Sequence, residues 1–374
     1  RTSRASPTCS SSRRLSPSAG TRSRHFIVRS SIHDYRVSFI SDLGDTLKTE
    51  IDETDIVIAD EKVLELYRSY FGYLNKDQII TIHASETSKS YHGCGLVIEE
   101  LIKRGFRKNH RLIAIGGGIT QDITAYIASV LYRGVEWLFF PTSLLAQGDS
   151  CIGSKSSINF KEFKNQIGGF YPPNRIFIYP DFVDTLSDWE IRSGLGEMCH
   201  YYVVSGKNDF DWLKTSYSQA LTDRNVLSQV ISKSLSIKKR YIEIDEFDKK
   251  ERLVFNYGHS FGHAIESLTN YKIPHGIAVS HGMDIANFVS VRLGFIPPEV
   301  REHIRELLQQ IWQGTSIKTL PLADFKVALS KDKKNIGKTL RLILNKGYGN
   351  IVVHKIEMET VAPILEEYFL KEAD

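Results

Sequence analysis

RLIAIGGG (residues 111–118) is followed directly by ITQDITAYIASVLYR (119–133). The first stretch is a short apolar run closed by three glycines, the pattern of a strand buried on both faces. The second carries apolar residues at helical spacing from 123 to 133. A strand that turns through glycine into a helix is the repeating unit of a parallel sheet, because parallel neighbours need a crossover between them. The same alternation spreads outward from this unit. DIVIAD (55–60), QIITIHA (78–84), EWLFFPTS (136–143) and RIFIYP (175–180) read as further strands, and GLVIEELIKRGF (95–106) as a helix. From Phe26 to about Leu186 the chain is therefore α/β. After SDWE (187–190) the spacing becomes helical for most of the remaining length, and RLILN (341–345) with NIVVHK (350–355) around KGYG reads as a small hairpin.

The 374 residues exceed the size at which one core usually keeps growing, which predicts two domains. The boundaries are a tail at 1–24, an α/β domain at 25–187 and a mostly helical domain at 188–374. The apolar fraction of 41% with 25% charged residues, and no uncharged apolar run near the ~18 residues of a membrane span, argue against a transmembrane protein. Residues 1–33 hold seven arginines and no carboxylate, so a net charge of +4 leaves 4 − 7 = −3 on the rest. A nucleic-acid binder would carry its basic stripe on the folded part, so that class is set aside. The Arg- and Ser-rich tail is expected to be disordered; its composition permits an organellar transit peptide and equally an extension of another kind. Four scattered cysteines give neither a disulfide framework nor a zinc cluster, and fit a reducing, cytoplasmic compartment.

Three constellations could carry chemistry. Gly116, Gly117 and Gly118 let a backbone approach a ligand closely, and the helix start beyond them favours a pyrophosphate, although GxGxxG is absent. In NYGHSFGH (256–263), His259 and His263 fall on one helical face, with His275 twelve residues further on and Glu197 in SGLGEMCH. Two histidines four apart are commonly surface or core residues; a third His and a carboxylate point to the His₂Glu set of a catalytic zinc. The Gly- and Ser-rich stretch 141–173 reads as an irregular loop. Its Asp149, Lys155, Lys164 and Asn165 could be solvated or could suit a phosphorylated substrate.

The motifs occur in the order GGGxxxD, RGVxxxxxPTSLLAQxDSxxGxK, KNxIGxFYxP, RSGLGE, FNYGHSFGHAIE and HGxAVxxGM. This order resembles dehydroquinate synthase and its relatives, the sugar phosphate cyclases, over roughly residues 35–350. The resemblance implies a Rossmann-like NAD domain, a helical metal-binding domain and a site between them. It implies Glu197, His259 and His275 as ligands of Zn²⁺ or Co²⁺, and moves His263 to a substrate-contacting position. For NAD it implies Asp60, Glu86, Lys89, Gly116, Gly117, Gly118, Asp122, Thr142, Ser143, Lys164, Thr185 and Leu186. Around the substrate it implies Asp149, Lys155, Asn165, Lys238, Arg252, Asn256 and one of the pair Lys333 and Lys334. Arg133 matches a phosphate-binding arginine supplied across a homodimer interface.

The reaction so implied converts 3-deoxy-arabino-heptulosonate 7-phosphate to 3-dehydroquinate and phosphate. It runs through transient oxidation by NAD⁺, phosphate elimination, re-reduction, ring opening and aldol closure. Asn256 and His263 favour that substrate, since cyclases of sedoheptulose 7-phosphate resemble one another in having Asp for the Asn and in losing the second His. Five departures stand out. His200 replaces a Lys three residues after the ligand Glu and is expected in the phosphate or substrate shell; Ile277 replaces a Glu, Ser154 and Gln121 replace glycines, and Asp248 replaces a Glu. A cyclase of another phosphosugar is one alternative, and an NAD-dependent, metal-containing polyol dehydrogenase, a more distant likeness, is another.

Overall fold

Leu112 to Gly116 and Trp137 to Pro141 form neighbouring parallel strands whose residues are all buried, which requires apolar cover on both sides. Alternate side chains divide between two layers. Leu112, Ala114, Trp137 and Phe139 face one core, and Ile113, Ile115, Leu138 and Phe140 face the other. The computed structural model describes residues 25–331 and 339–372; the Arg- and Ser-rich tail at 1–24 and the pair Lys333 and Lys334 lie outside the described residues.

The strands are β1 (His25–Val28), β2 (Tyr35–Phe39), β3 (Ile56–Asp60), β4 (Ile79–Ile82), β5 (Leu112–Gly116), β6 (Trp137–Pro141), β7 (Lys155–Phe160), β8 (Phe163–Phe170), β9 (Arg175–Ile178), β10 (Thr339–Asn345) and β11 (Ile351–Glu357). The helices of the first half are α1 (Leu43–Glu50), α2 (Glu61–Leu66), α3 (Arg68–Phe71), α4 (Tyr91–Lys103) and α5 (Gly118–Val130). Those of the second half are α6 (Asp188–Ser205), α7 (Lys207–Ala220), α8 (Arg224–Ile244), α9 (His259–Leu268), α10 (His275–Arg292), α11 (Pro298–Trp312), α12 (Leu322–Ser330) and α13 (Met358–Lys371). A seven-stranded sheet has the order β1-β2-β9-β6-β5-β3-β4, parallel throughout except for the β1–β2 pair. This is the Rossmann-like sheet followed by a helical half that the sequence predicts.

Two elements depart from the sequence reading. The N-terminal hairpin β1–β2 was not expected. Within 141–173, read as an irregular loop, β7 and β8 pair as an antiparallel hairpin. Serines and glycines hide its alternation. Ser156 and Ile158 point inward, and Gly168 lies so close to β7 that an added Cβ would stand 1.9 Å from the Ser156 carbonyl oxygen.

In the helical half, every residue of α10 from Gly276 to Ser290 is buried, as expected of a helix at the centre of a bundle. It crosses α6 at two glycines. A Cβ on Gly276 would meet the Ser193 carbonyl oxygen at 1.8 Å, and one on Gly196 the Gly276 carbonyl oxygen at 2.4 Å. This backbone-to-backbone approach sets the distance between Glu197, midway along α6, and His275 at the start of α10. The buried cluster on one face of the sheet continues through α6 into α10, so the two halves share one core. Gly276→Ala is expected to force α6 and α10 apart at an overpacking cost of about 1–3 kcal/mol or more, read as a lower unfolding temperature in a thermal scan.

Candidate active site

Glu197 lies midway along α6, a helix fixed at its start by a reciprocal cap between Ser187 and Glu190. His259 and His275 are the first residues of α9 and α10. The entry to α9 depends on Gly258, whose φ of +82° and 2.7 Å clearance to Met283 and to the Val279 carbonyl leave no room for a side chain. His259 Nε2 stands 3.3 Å from Glu197 Oε1, and His275 Nε2 stands 3.3 Å from Glu197 Oε2. Donors held tetrahedrally at bonds of about 2.0–2.2 Å stand roughly 3.3–3.5 Å apart, so this spacing is that of a zinc-like ligand set.

Glu197 Oε2 is buried and accepts no hydrogen bond, as an anionic metal ligand would. Each imidazole is backed at Nδ1, His259 by the Tyr257 carbonyl at 3.3 Å and His275 by Glu266 Oε2 at 3.1 Å, which leaves both Nε2 atoms for a cation. Burial alone would raise the Glu197 carboxyl, yet the two imidazoles hold it well below its ordinary range. Burial would likewise lower His275, and Glu197 with Glu266 hold it well above. A divalent ion is suited to supply that positive charge in place of a proton.

His263, one turn along α9 from His259, packs its ring 5.6 Å from His259 and 5.8 Å from His275 on the exposed rim. Spacing alone made it a ligand beside His259; the structure puts Glu197 there instead. His263, Glu266 and His275 nonetheless form a second group of neighbouring donors.

Beside the triad opens a cavity of about 300 Å³ between the two halves. Asp149, Lys155, Lys238, Arg252 and Asn256 line it together with Glu197, His259 and Asp122. Asp149 sits in a single tight turn (146–150) wedged against α6 and α8; Gly148 there lies so close to Met198 that a Cβ would be 2.2 Å from its sulfur. Lys238 donates to the Asp149 carbonyl at 2.7 Å and to its carboxylate at 2.6 Å, and the Tyr201 hydroxyl donates to the same carboxylate. Burial works against the charge on Asp149, but Lys238 outweighs it and the carboxyl is held below its usual value. Lys155 pairs with Asp248; burial, and next the nearby Arg252, lower its pKa. Arg252 is buried and gives Nη1 to the carbonyls of Gly153 (3.2 Å) and Glu246 (2.7 Å). Asn256 donates to the Leu253 carbonyl at 3.0 Å.

Of the residues expected around the dinucleotide, Asp60, Gly116, Thr142 and Ser143 sit at or just beyond the carboxyl ends of β3, β5 and β6, where open parallel sheets bind ligands. Asp60 caps α2 through the Lys62 amide. Gly117 precedes α5, whose first turn has no side-chain cap, so its amides are available to an anion. A Cβ on Gly118 would find its nearest neighbour only at 4.0 Å, while one on Gly117 would meet Ser143 at 3.3 Å, which fits a cradle open at Gly118. The Thr142 amide donates to the Gly116 carbonyl and Ser143 accepts from the Ala146 amide. The Thr185 hydroxyl lies 3.2 Å from that of Tyr67, and Leu186 packs against the core.

Over this end folds the β7–β8 hairpin. Asp122 accepts from the Ser157 amide (3.1 Å) and from Lys89 (3.2 Å), while burial pushes its carboxyl up to about 6. Glu86 accepts from Asn159 at 2.9 Å. Lys164 lies 3.9 Å from Glu86 and 3.4 Å from the ring centre of Tyr271, across the cleft.

Two expected positions fall elsewhere. Asn165, assigned to the substrate, accepts at Oδ1 from Lys89 (2.9 Å), which also binds Asp122, and from Ser157 (3.1 Å). Arg133, expected to serve a partner's site, is exposed beyond the end of α5 and does not line the cavity of its own chain. His200, expected in the substrate shell, does not line the cavity either. It is buried behind the triad, 3.9 Å from Glu197 and against Tyr201, Phe255 and His259, and burial lowers its pKa to about 4, so it is neutral. Other departures are absorbed locally. Gln121 makes two 2.6 Å hydrogen bonds with Ser150, Ser154 (φ 65°) gives its hydroxyl to Glu246, and Ile277 is core. Two site residues were missed. Glu266 is the seventh residue after His259, and Tyr201 the fourth after Glu197, so each shares a helix face with an expected ligand.

Residues 79–193 match the family described as 3-dehydroquinate synthase N-terminal, and residues 194–335 the one described as 3-dehydroquinate synthase C-terminal. A 3-dehydroquinate synthase of Dictyoglomus turgidum is 37% identical over 307 residues, covering 81% of this chain and 86% of the relative. The chain belongs to the 3-dehydroquinate synthase family. It is an enzyme of that ring-closing lyase type. Among solved structures, 2-deoxy-scyllo-inosose synthase complexed with carbaglucose-6-phosphate, NAD⁺ and Co²⁺ superposes with a TM-score of 0.82 at 21% identity, covering 92% of this chain and 99% of that one. A 2-epi-5-epi-valiolone synthase from Streptomyces hygroscopicus with NAD⁺ and Zn²⁺ bound gives 0.81 at 20% identity, covering 90% and 97%. At these identities the two structures establish the common fold.

Lys238→Met is expected to leave the Asp149 carboxylate buried without its cation, at about 3–5 kcal/mol. Asp149 contributes stability above its unfolded pKa that is lost as pH falls through its lowered folded value. The variant should therefore lose stability at neutral pH and show a flatter acid limb, measured by thermal scans from pH 7 to pH 3.

Proposed function

We propose that the enzyme converts 3-deoxy-arabino-heptulosonate 7-phosphate to 3-dehydroquinate and inorganic phosphate with bound NAD⁺ and a divalent cation, Zn²⁺ or Co²⁺. The observation that carries this reading is that Lys155, Lys238 and Arg252 line the same cavity as Glu197 and His259. A substrate with a phosphate at one end and a carboxylate at the other needs cations at both, beside a group that acts on its hydroxyls. The 3-dehydroquinate synthases among its relatives support the reaction, and the two solved neighbours support the cofactors.

Glu197, His259 and His275 would hold the cation, and the Gly116–Gly118 turn with Asp60, Asp122 and Lys89 would hold the dinucleotide. When bound, NAD⁺ takes up and returns a hydride while the cation polarises a substrate hydroxyl. The chain's own groups do the rest. Lys155 presents its ammonium to the phosphate, which would take the place of Asp248. Arg252 and Lys238 face the carboxylate end. Asp149 holds Lys238 and Tyr201 in place, and His263 at the rim would contact the substrate. Arg133, exposed and outside the lining of its own cavity, would serve the site of a second copy in a homodimer.

Phosphate release with NAD⁺ and Co²⁺ should be seen with 3-deoxy-arabino-heptulosonate 7-phosphate and not with sedoheptulose 7-phosphate. Turnover of the second substrate alone would overturn the assignment in favour of another sugar phosphate cyclase. Accumulation of free NADH without phosphate would overturn it in favour of a dehydrogenase. Lys155→Ala should cut turnover about 10- to 100-fold, the scale of one charged hydrogen bond, and His259→Ala should release the metal, read by elemental analysis after dialysis.

A further inference from the structure

His275 lies between two carboxylates, with Nε2 3.3 Å from Glu197 and Nδ1 3.1 Å from Glu266. It therefore belongs to two overlapping groups of donors, Glu197–His259–His275 and His263–Glu266–His275. A neutral imidazole has one N–H and one lone pair, so the ring can offer a lone pair to only one of them. An ionised carboxylate only accepts. Glu266 is buried on a helix packed closely against α10, where a Cβ on Gly262 would lie 3.0 Å from Val279. Its demand for a proton at Nδ1 leaves the lone pair at Nε2, facing Glu197 and His259. The corresponding support for His259 is a backbone carbonyl, that of Tyr257, which no side-chain replacement removes.

We propose that Glu266 is a positioning residue that fixes the tautomer of His275 and so directs the divalent cation to the inner triad rather than to the outer group with His263. The inference rests on the reading of Glu197, His259 and His275 as the metal site, and deepens it. His259, His263 and Glu266 follow one another at four and three residues along one face of α9. The same helix thus carries a ligand, a rim histidine and the group that keeps the cation away from the rim.

The test is Co²⁺ binding to the metal-stripped full chain, followed by chelator competition and visible absorption, in the wild type and in Glu266→Ala, His259→Ala and His263→Ala. Loss of an outer-shell partner is expected to weaken Co²⁺ about 10- to 100-fold in Glu266→Ala. His259→Ala should lose the visible signature, and His263→Ala should keep wild-type affinity. Wild-type affinity in Glu266→Ala, with loss in His259→Ala, would overturn the role of Glu266 and leave the metal reading standing. Equal losses in His263→Ala and His259→Ala would place Glu266 among the ligands and overturn the proposal. Wild-type affinity in His259→Ala would overturn the metal reading itself. Long-range ¹H–¹⁵N spectra of the zinc-loaded wild type supply a readout independent of how any variant folds. They should show His275 protonated at Nδ1 and metal-bound at Nε2, and the reverse assignment would overturn the proposal.

Discussion

A buried carboxylate facing two imidazoles across 3.3 Å is the constraint around which the helical half is arranged. Glu197 cannot be buried alone without a large desolvation cost, so opposing charge must be delivered to it from other helices. The delivery depends on close backbone packing. Gly196 and Gly276 let α6 and α10 touch, and Gly258 lets α9 begin against α10. The glycines and the ligands are parts of one device, since a wider crossing would separate the donors beyond the reach of one cation.

The cavity beside the triad is built on the same principle. Lys238 is matched by Asp149, Lys155 by Asp248 and Arg252 by two carbonyls, so each cation has a partner from the chain itself. On the proposed reading, an anionic substrate would exchange partners there, which limits the cost of keeping such charges out of water. Several of these pairs join the two halves. Glu246 accepts from Ser30, Ser31 and Ser154, and Lys164 stacks on Tyr271. The geometry of the cleft is thus tied to the chemistry inside it.

The substitutions that set this chain apart from its family's motifs follow that logic unevenly. Gln121 and Ser154 bring side chains where glycines were expected, and both find hydrogen-bond partners that couple α5 or the 242–249 segment to the Asp149 turn and the β7–β8 hairpin. His200 brings a neutral, aromatic body into a place where a lysine would bring charge, and it packs among rings behind the Glu197–His259–His275 triad.

The sequence by itself determined the class of fold, because strands buried on both faces need continuous apolar runs, and it determined the ligand candidates, because motif order survives in the linear string. The β7–β8 hairpin was not legible, since glycine and serine stand where an apolar alternation would have announced it. Nor could spacing decide between His263 and Glu197 as the neighbour of His259. Both lie on helices with suitable periodicity, and only the crossing of α6 with α10 selects one. Glu266 shares a helix face with two histidines, but its role exists only once α10 brings His275 against it. Local propensity and motif are properties of neighbours in the chain, whereas ligand sets, tautomers and charge pairs are fixed by distances between helices that the chain reaches only by folding.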